Sequence, residues 1–573
     1  MPIEQIRTFL AIALLVVLFL LWQAWQQDYG NTRAGAGRAD RTGQSAYPGT
    51  TGSSQGSSTR ESNDIPGLPR GDSAADSTMI PTLPGADLSN PDALSGSAAS
   101  SDRENRPIRV RTDVFDLLID PDGTGIRRLD LLAYPESQDR PDIPFQLLSQ
   151  GLGNYFTAEA PLFGSDPALH KPPRFRPEQH DYRLAEDQDS LPVRLFWDSG
   201  DGLQVVKVMT FHRQSYVVNV SYQVENTRKQ PVAVRLHGRL TRYPPPDQAS
   251  IFRLPTYTGG VISNAQDPYE KIDFSDMAEQ NLKRATQGGW IAMIQHYFIG
   301  SWVPDADTMN QYYTDREGHL YSIGSSTDKV IPPGGRDTLS IRGYFGPKIQ
   351  DRMEAVAPNL SRTVDYGWLW IISQPLFWLL QRIHAIFGNW GVAIIILTLL
   401  IKLVFFHLSA TSYKSMAKMR KLQPRMMKLR DTYKDDKVKM NQRLMALYKE
   451  EGVNPVSGCL PIAVQIPVFI ALYWVLLESV ELRHAGFLWL SDLSTHDPYF
   501  ILPISMGITM FLQQKLNPTP PDPVQAKVMM ALPFVFTVLF LFFPSGLVLY
   551  WFVNNVLSIA QQWVITRQIA PGT

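Results

Sequence analysis

Two periodicities divide the chain. From Ile108 to about Phe345 apolar residues recur at every second position: Tyr216, Val218, Val220, Tyr222 and Val224 alternate with Val217, Asn219, Ser221, Gln223 and Glu225. A period of two is that of a strand with one buried face. Val232, Val234 and Leu236 repeat it after a turn at Asn226 to Pro231, and Gly289 to Val303 and Leu339 to Phe345 read as further strands. Many short strands with Gly and Pro between them predict a large antiparallel β-sandwich over residues 106–347.

Beyond residue 388 the alternation gives way to long apolar runs, and a helix needs about 20 apolar residues to cross about 30 Å of hydrocarbon. The runs predict spans over 389–408, 457–480, 498–514, 528–543 and 545–566. The last two meet at Pro544-Ser545-Gly546, a tight reversal that makes them antiparallel neighbours. A first span comes from Phe9 to Trp22, charge-free and just after Arg7. The nearest small-x-small triplet, Ala34-Gly35-Ala36, lies behind Arg33, so residues 1–27 read as an uncleaved anchor rather than a signal peptide.

The run from Tyr366 to Phe387 is interrupted by Ser373, Gln374 and Pro375 and ends near Arg382 and His384. Topology settles its place. Segment 409–456 carries twelve lysines and arginines against five acidic residues, a net of +7, which puts it in the cytoplasm. With the N-terminus also inside, Tyr366 to Phe387 must stay on the outer face, an interfacial helix within 348–388 anchored by Trp368, Trp370 and Trp378. The expected protein is polytopic and α-helical with six transmembrane helices. Both termini are inside, 481–497 is an outer loop, 515–527 an inner loop and 567–573 a short cytoplasmic tail.

Composition narrows the function. Lys plus Arg and Asp plus Glu are 54 each, so the net charge is zero and no specific nucleic-acid partner is expected. The lone Cys459 excludes an intramolecular disulfide and reads as a small packing residue. Residues 28–105 are rich in Gly, Ser, Pro, Asp and Thr and read as a flexible tether. The Gly52-Ser53-Ser54-Gln55-Gly56 match to a nucleophile elbow lies in that tether, with neither the strand nor the helix the motif requires. There is no Gly-Lys dipeptide for a Walker A loop and no His-Glu pair for a zinc motif. Neither an enzyme nor a cofactor is expected.

Polar residues inside the spans carry the remaining signal. Lys402 interrupts an apolar run, and an intramembrane charge tends to face a polar cavity or to reach the interface by snorkelling. No carboxylate lies in a nearby span, which favours a hydrated recess open to the cytoplasm. Thr398, one turn earlier, and Gln465 in the next span are candidates to line it. Asn554, Asn555, Ser558, Gln561 and Gln562 form a polar stripe that either lines the recess or joins helices by hydrogen bonds. Segment 409–456 reads as a helical hairpin broken near Asp435-Asp436 and stopped at Gly452. Its Met416 and Met419, with Lys418, Arg420, Lys421 and Arg425, suit either adaptable contact with varied apolar segments or rest against the anionic inner leaflet.

Several motifs give a resemblance: GNWG at Gly388 to Gly391, SMAKM at Ser415 to Met419, ALYK at Ala446 to Lys449, NPVSGCLP at Asn454 to Pro461, DPYFILPISMG at Asp497 to Gly507 and FPSGLVLY at Phe543 to Tyr550. In this order they resemble the YidC/Oxa1/Alb3 family of membrane-protein insertases, in the Gram-negative form with a large periplasmic domain. The resemblance implies a five-helix core with a hydrophilic groove, closed outside and open to cytoplasm and lipid, in the bacterial inner membrane. Its usual groove arginine corresponds to Lys402, its adjacent tyrosines to Tyr550-Trp551, and a common proline to His407. Implied partners are nascent membrane-protein clients, the Sec translocon, the ribosome and lipids. The chain closes soon after Arg567 without a long basic tail, so tail-mediated ribosome docking is not expected. The competing expectation is a membrane-anchored periplasmic protein that binds or modifies carbohydrate with its β-domain.

Overall fold

The structure is a computed structural model that describes residues 106–151, 153–245, 256–433, 436–453, 460–517 and 523–569. The expected anchor at 1–27, the tether at 28–105 and Cys459 lie outside the described residues.

Alternation builds a β-sandwich of an eleven-stranded and a nine-stranded sheet. Among the described strands pairing is antiparallel except between Ile108–Arg111 and Asp181–Arg183. Tyr216, Val218, Val220, Tyr222 and Val224 are all buried, as the period of two requires. The run from Gly289 to Val303 is not one strand. It folds into Trp290–Gln295 and Phe298–Pro304, a hairpin closed by the pair Gln295 and Phe298. Nearly every residue of both strands is buried, so alternation is lost, and the turn at His296-Tyr297 contains neither Gly nor Pro to mark it.

Trp302, Tyr222 and Phe345 fill the space between the sheets, where Trp302 Nε1 donates to Arg239 O at 3.2 Å across the sandwich. Lys207 is also buried there. Its ammonium donates to Gly123 O at 2.7 Å and Ala160 O at 3.3 Å, and desolvation pulls its pKa down to about 7.

Ten described α-helices follow or interrupt the strands: α1 Phe274–Glu279, α2 Gln350–Val356, α3 Trp370–Phe387, α4 Trp390–Val404, α5 Phe406–Thr432, α6 Lys437–Glu450, α7 Leu460–Glu478, α8 Ile501–Leu516, α9 Pro523–Phe540 and α10 Ser545–Ile569. The five later spans expected from hydropathy correspond to α4 and α7–α10. The first of them stops short of its expected end at Leu408. The chain bends at Phe405, and α4 and α5 meet at 67°. Among the described residues no single helix is long and apolar enough to cross a membrane by itself, while α4 and α5 meet that requirement together.

In the segment read as a hairpin, α5 and α6 pack together through Leu422, Met426, Leu444 and Tyr448. Asp436 caps α6 by accepting from Lys439 N at 3.0 Å, and Gly452, at φ +62°, follows its end. Packing seats α10 against α4, α5, α7 and α8, and α9 against α8. At that last contact a Cβ on Gly507 would stand 2.0 Å from Thr537 Oγ1, so only glycine allows the approach.

The sandwich docks on the C-terminal end of α7. Lys348 and Glu478, both almost fully buried, pair at 2.8 Å. His296 Nε2 donates to Leu477 O at 2.9 Å, and Arg483, just beyond the helix, donates to Pro135 O at 2.7 Å and Glu136 O at 3.0 Å.

Candidate functional site

The bend at Phe405 opens a cleft between the end of α4, the start of α5 and α7. It encloses about 320 Å³, part of it open solvent, and is lined by Lys402, Phe405, Ser409, Gln465 and neighbouring apolar residues. Lys402 Nζ donates to Ser558 Oγ on α10 at 2.7 Å, and Ser558 Oγ donates onward to Asn554 O at 2.7 Å. Gln465 Nε2, from α7, donates to Asn554 Oδ1 and, at 3.4 Å, to the buried Tyr550 hydroxyl. Three helices distant in sequence thus contribute one polar cluster. No ion pair joins Lys402 to a carboxylate among the described residues. The cation is held by a neutral hydroxyl.

Two expected members stand elsewhere. Thr398 is fully buried and donates to Ile394 O at 2.7 Å, so its hydroxyl is satisfied within α4 and does not face the cleft. A threonine inside a helix has that i−4 carbonyl always within reach. Trp551 packs edge-on against Phe469, with ring centroids 4.5 Å apart, and also against Phe540. It does not line the cleft, and its buried indole N–H has no hydrogen-bond partner among the described residues.

The α10 stripe divides between its two expected roles. Asn554 and Ser558 serve the cleft. Asn555 Nδ2 donates to Thr509 Oγ1 at 3.4 Å, Gln561 Nε2 to Phe406 O at 3.2 Å and Gln562 Nε2 to Leu516 O at 3.3 Å, which are helix-joining bonds. Phe405, Leu408 and Ser409 are cleft walls that sequence reasoning missed, because no Pro or Gly marks the bend that creates them.

On the hairpin, Lys418, Arg420, Lys421 and Arg425 are exposed, and Arg425 pairs with Glu451 at 2.7 Å. Met416 is a correction to the expected contact surface. It is buried with Tyr413 and Ile565, and Met419 is half-buried against the Leu422, Met426 and Leu444 cluster. Met427 is the exposed neighbour. On the opposite side Trp368, Trp370 and Trp378 are all exposed, and the Arg382 guanidinium lies 5.5 Å over the Trp378 ring. Ser373 Oγ holds α3 to α7 by donating to Ala471 O at 3.2 Å.

Residues 382–571 match the family described as 60Kd inner membrane protein, and residues 107–379 match the YidC periplasmic domain. Bundle and sandwich are therefore those of an inner-membrane protein with a periplasmic domain. The membrane protein insertase YidC of Stutzerimonas stutzeri (strain A1501) is 47% identical, covering 99% of each chain. That of Thioalkalivibrio sulfidiphilus (strain HL-EbGR7) is 46% identical, again covering 99% of each. A crystal structure of an active YidC insertase with its first transmembrane domain resolved is 19% identical, covers 82% of this chain and 97% of its own, and has a TM-score of 0.35. The chain belongs to the YidC family of membrane protein insertases, a family whose named function is not enzymatic. That relationship selects the insertase expectation over the carbohydrate one.

Proposed function

We propose that this protein inserts membrane-protein clients, and helps them fold, through the cleft at Lys402, with neither covalent chemistry nor nucleotide hydrolysis. The observation that carries the proposal is the state of Lys402: a cation bonded to the Ser558 hydroxyl at 2.7 Å, beside Gln465, with no carboxylate paired to it among the described residues. A cation without a counter-ion attracts an acidic or strongly polar client segment more than one already neutralised, and a low-dielectric surrounding strengthens that attraction. The client's polar segment replaces Ser558 as the partner of Lys402 for a time. Burial of the client's apolar helix in lipid then drives its departure.

The exposed Lys418, Arg420 and Lys421 with Met427 receive the client or the ribosome on the cytoplasmic side. Trp368, Trp370 and Trp378 hold α3 at the outer interface. The protein sits in the inner membrane with both termini inside and six spans, and acts alone or beside the Sec translocon.

Reconstitution tests the reading. Wild type in otherwise empty liposomes protects a single-span client from protease above the protein-free level, and Lys402→Leu loses that protection. Lys402→Arg retains the charge and is expected to retain insertion. Equal insertion by wild type and Lys402→Leu would remove Lys402 from the mechanism.

A further inference from the structure

Five described residues other than glycine have positive φ, and three of them, His484, Leu488 and Phe500, lie between α7 and α8. A left-handed backbone is unfavourable for a bulky side chain and persists only where surrounding structure imposes it. Leu488, at φ +55°, takes the first central position of a two-residue hairpin, a place glycine ordinarily fills. Phe487 N donates to Leu490 O at 2.8 Å, and Leu490 N to Phe487 O at 2.9 Å. The hairpin is pinned from below: the Phe487 ring occupies the space a Cβ on Gly391 would need, and Asn389 Nδ2 donates to Gly486 O at 3.2 Å. Phe500, also at φ +55°, is held by the buried Asp497, whose carboxylate accepts from Tyr499 N at 3.0 Å and Leu502 N at 2.8 Å.

What this imposed backbone displays is apolar and exposed. Leu488 is 77% and Tyr499 67% exposed, and Trp489 and Phe500 are exposed beside them. In water both the backbone strain and the exposed apolar area are unfavourable, with no gain to offset them. The exposed area is also continuous with other apolar surface. From Phe500 it runs down α8 through Ile501, Ile504, Ile508 and Leu512, all exposed at helical spacing. From Leu488 it adjoins the turn that follows the exposed Ile386 and Phe387 of α3.

We propose that the segment between α7 and α8 is an anchor for a lipid surface, in which Leu488-Trp489 and Tyr499-Phe500 enter the outer-leaflet headgroup boundary and fix the depth of this rim. The proposal rests on the reading of α4 and α7–α10 as a membrane core. Ala485 to Leu490 and Tyr499 to Leu512 contain no charged residue, so recognition is apolar and aromatic, and a zwitterionic lipid suffices.

The test uses the full chain with Cys459→Ser, single cysteines at Leu488→Cys, Tyr499→Cys, Val538→Cys or Val330→Cys, and a polarity-sensitive fluorophore, in phosphatidylcholine vesicles. Val538 lies on the exposed face of α9 and Val330 on the exposed surface of the sandwich. Labels at 488, 499 and 538 are expected to shift to the blue and to be quenched by spin-labelled lipid rather than by iodide, and the label at 330 to show the reverse. Iodide quenching at 488 and 499, with lipid quenching at 538, overturns the anchor and leaves the core reading intact. Iodide quenching at 538 as well overturns both. Protection at 488 and 499 only after another membrane protein is added makes the surface a protein contact and also overturns the anchor. Leu488→Gly, which removes the prong and the strain together, is expected to raise the unfolding temperature in detergent. A fall would mean that Leu488 packs within the protein, against the proposal.

Discussion

The ion pair between Lys348 and Glu478 is the contact whose loss is easiest to read quantitatively. Its side chains are 2% and 4% exposed, its length is 2.8 Å, and Lys348 also donates to Thr363 O at 3.2 Å. At that separation two unit charges attract by about 6 kcal/mol at an effective dielectric constant near 20, against a desolvation penalty of several kcal/mol per ion. The intact pair is therefore close to neutral, but either member alone is an unpaired buried charge. Lys348→Met and Glu478→Leu are each expected to lose about 3–5 kcal/mol, while the double substitution stays within roughly 1–2 kcal/mol of wild type because no charge is stranded. Equilibrium unfolding of the four proteins in detergent, followed through the sandwich tryptophans, gives the cycle. A coupling below about 0.5 kcal/mol, the level of independent sites, would refute the claim that this pair joins sandwich to helix. A charge reversal, Lys348→Glu with Glu478→Lys, supplies a second check, since it restores the pair without restoring either residue.

Other consequences are equally direct. The native pKa of Lys207 near 7, against 10.5 ordinarily, means the folded chain binds fewer protons than the unfolded chain between those values. Stability of the sandwich should rise from pH 7 towards 10.5 and be flat in this contribution below 7; Lys207→Met should lack that slope in parallel denaturant titrations. Gly507→Ala forces a Cβ onto Thr537 and should cost about 1–3 kcal/mol, with Thr537→Ala in the same chain recovering much of it, as read by thermal unfolding in detergent. Gln465→Leu strips Asn554 of its donor, which should destabilise the core by about 1–3 kcal/mol and slow client insertion in liposomes. Unchanged insertion would show that Gln465 is only structural.

Much of this was legible in the chain. The buried face of Val217–Asn226 follows from alternation, because a strand with one wet side must place its apolar residues at every second position. The ends of α6 follow from Asp436, which caps it, and from Gly452 just beyond it. What stayed hidden depends on partners far along the chain. Val217–Asn226 pairs with Gly335–Pro347, and no local pattern encodes that choice. Lys402 announced a polar recess, but its partner Ser558 stands 156 residues later, and Thr398 was placed in the recess because spacing cannot reveal a hydroxyl turned back onto its own helix. The left-handed Leu488 was invisible for the opposite reason: sequence preference argues against it, and the Phe487 ring seated on Gly391 together with the Asn389 bond to Gly486 imposes it.

The pairing of Lys348 with Glu478 also orders events in time. The two residues are 130 positions apart, and synthesis at about 5–20 residues per second separates their appearance by roughly 10 s. During that interval the sandwich has all its strands, yet Lys348 has no carboxylate to meet, and His296 and Pro135 lack the helix end they bind. The sandwich therefore completes this edge only when α7 has been made and reaches it. The last contact of the sandwich is thus made with a helix synthesised after every one of its strands, and until then Lys348 is a cation without its buried counter-ion.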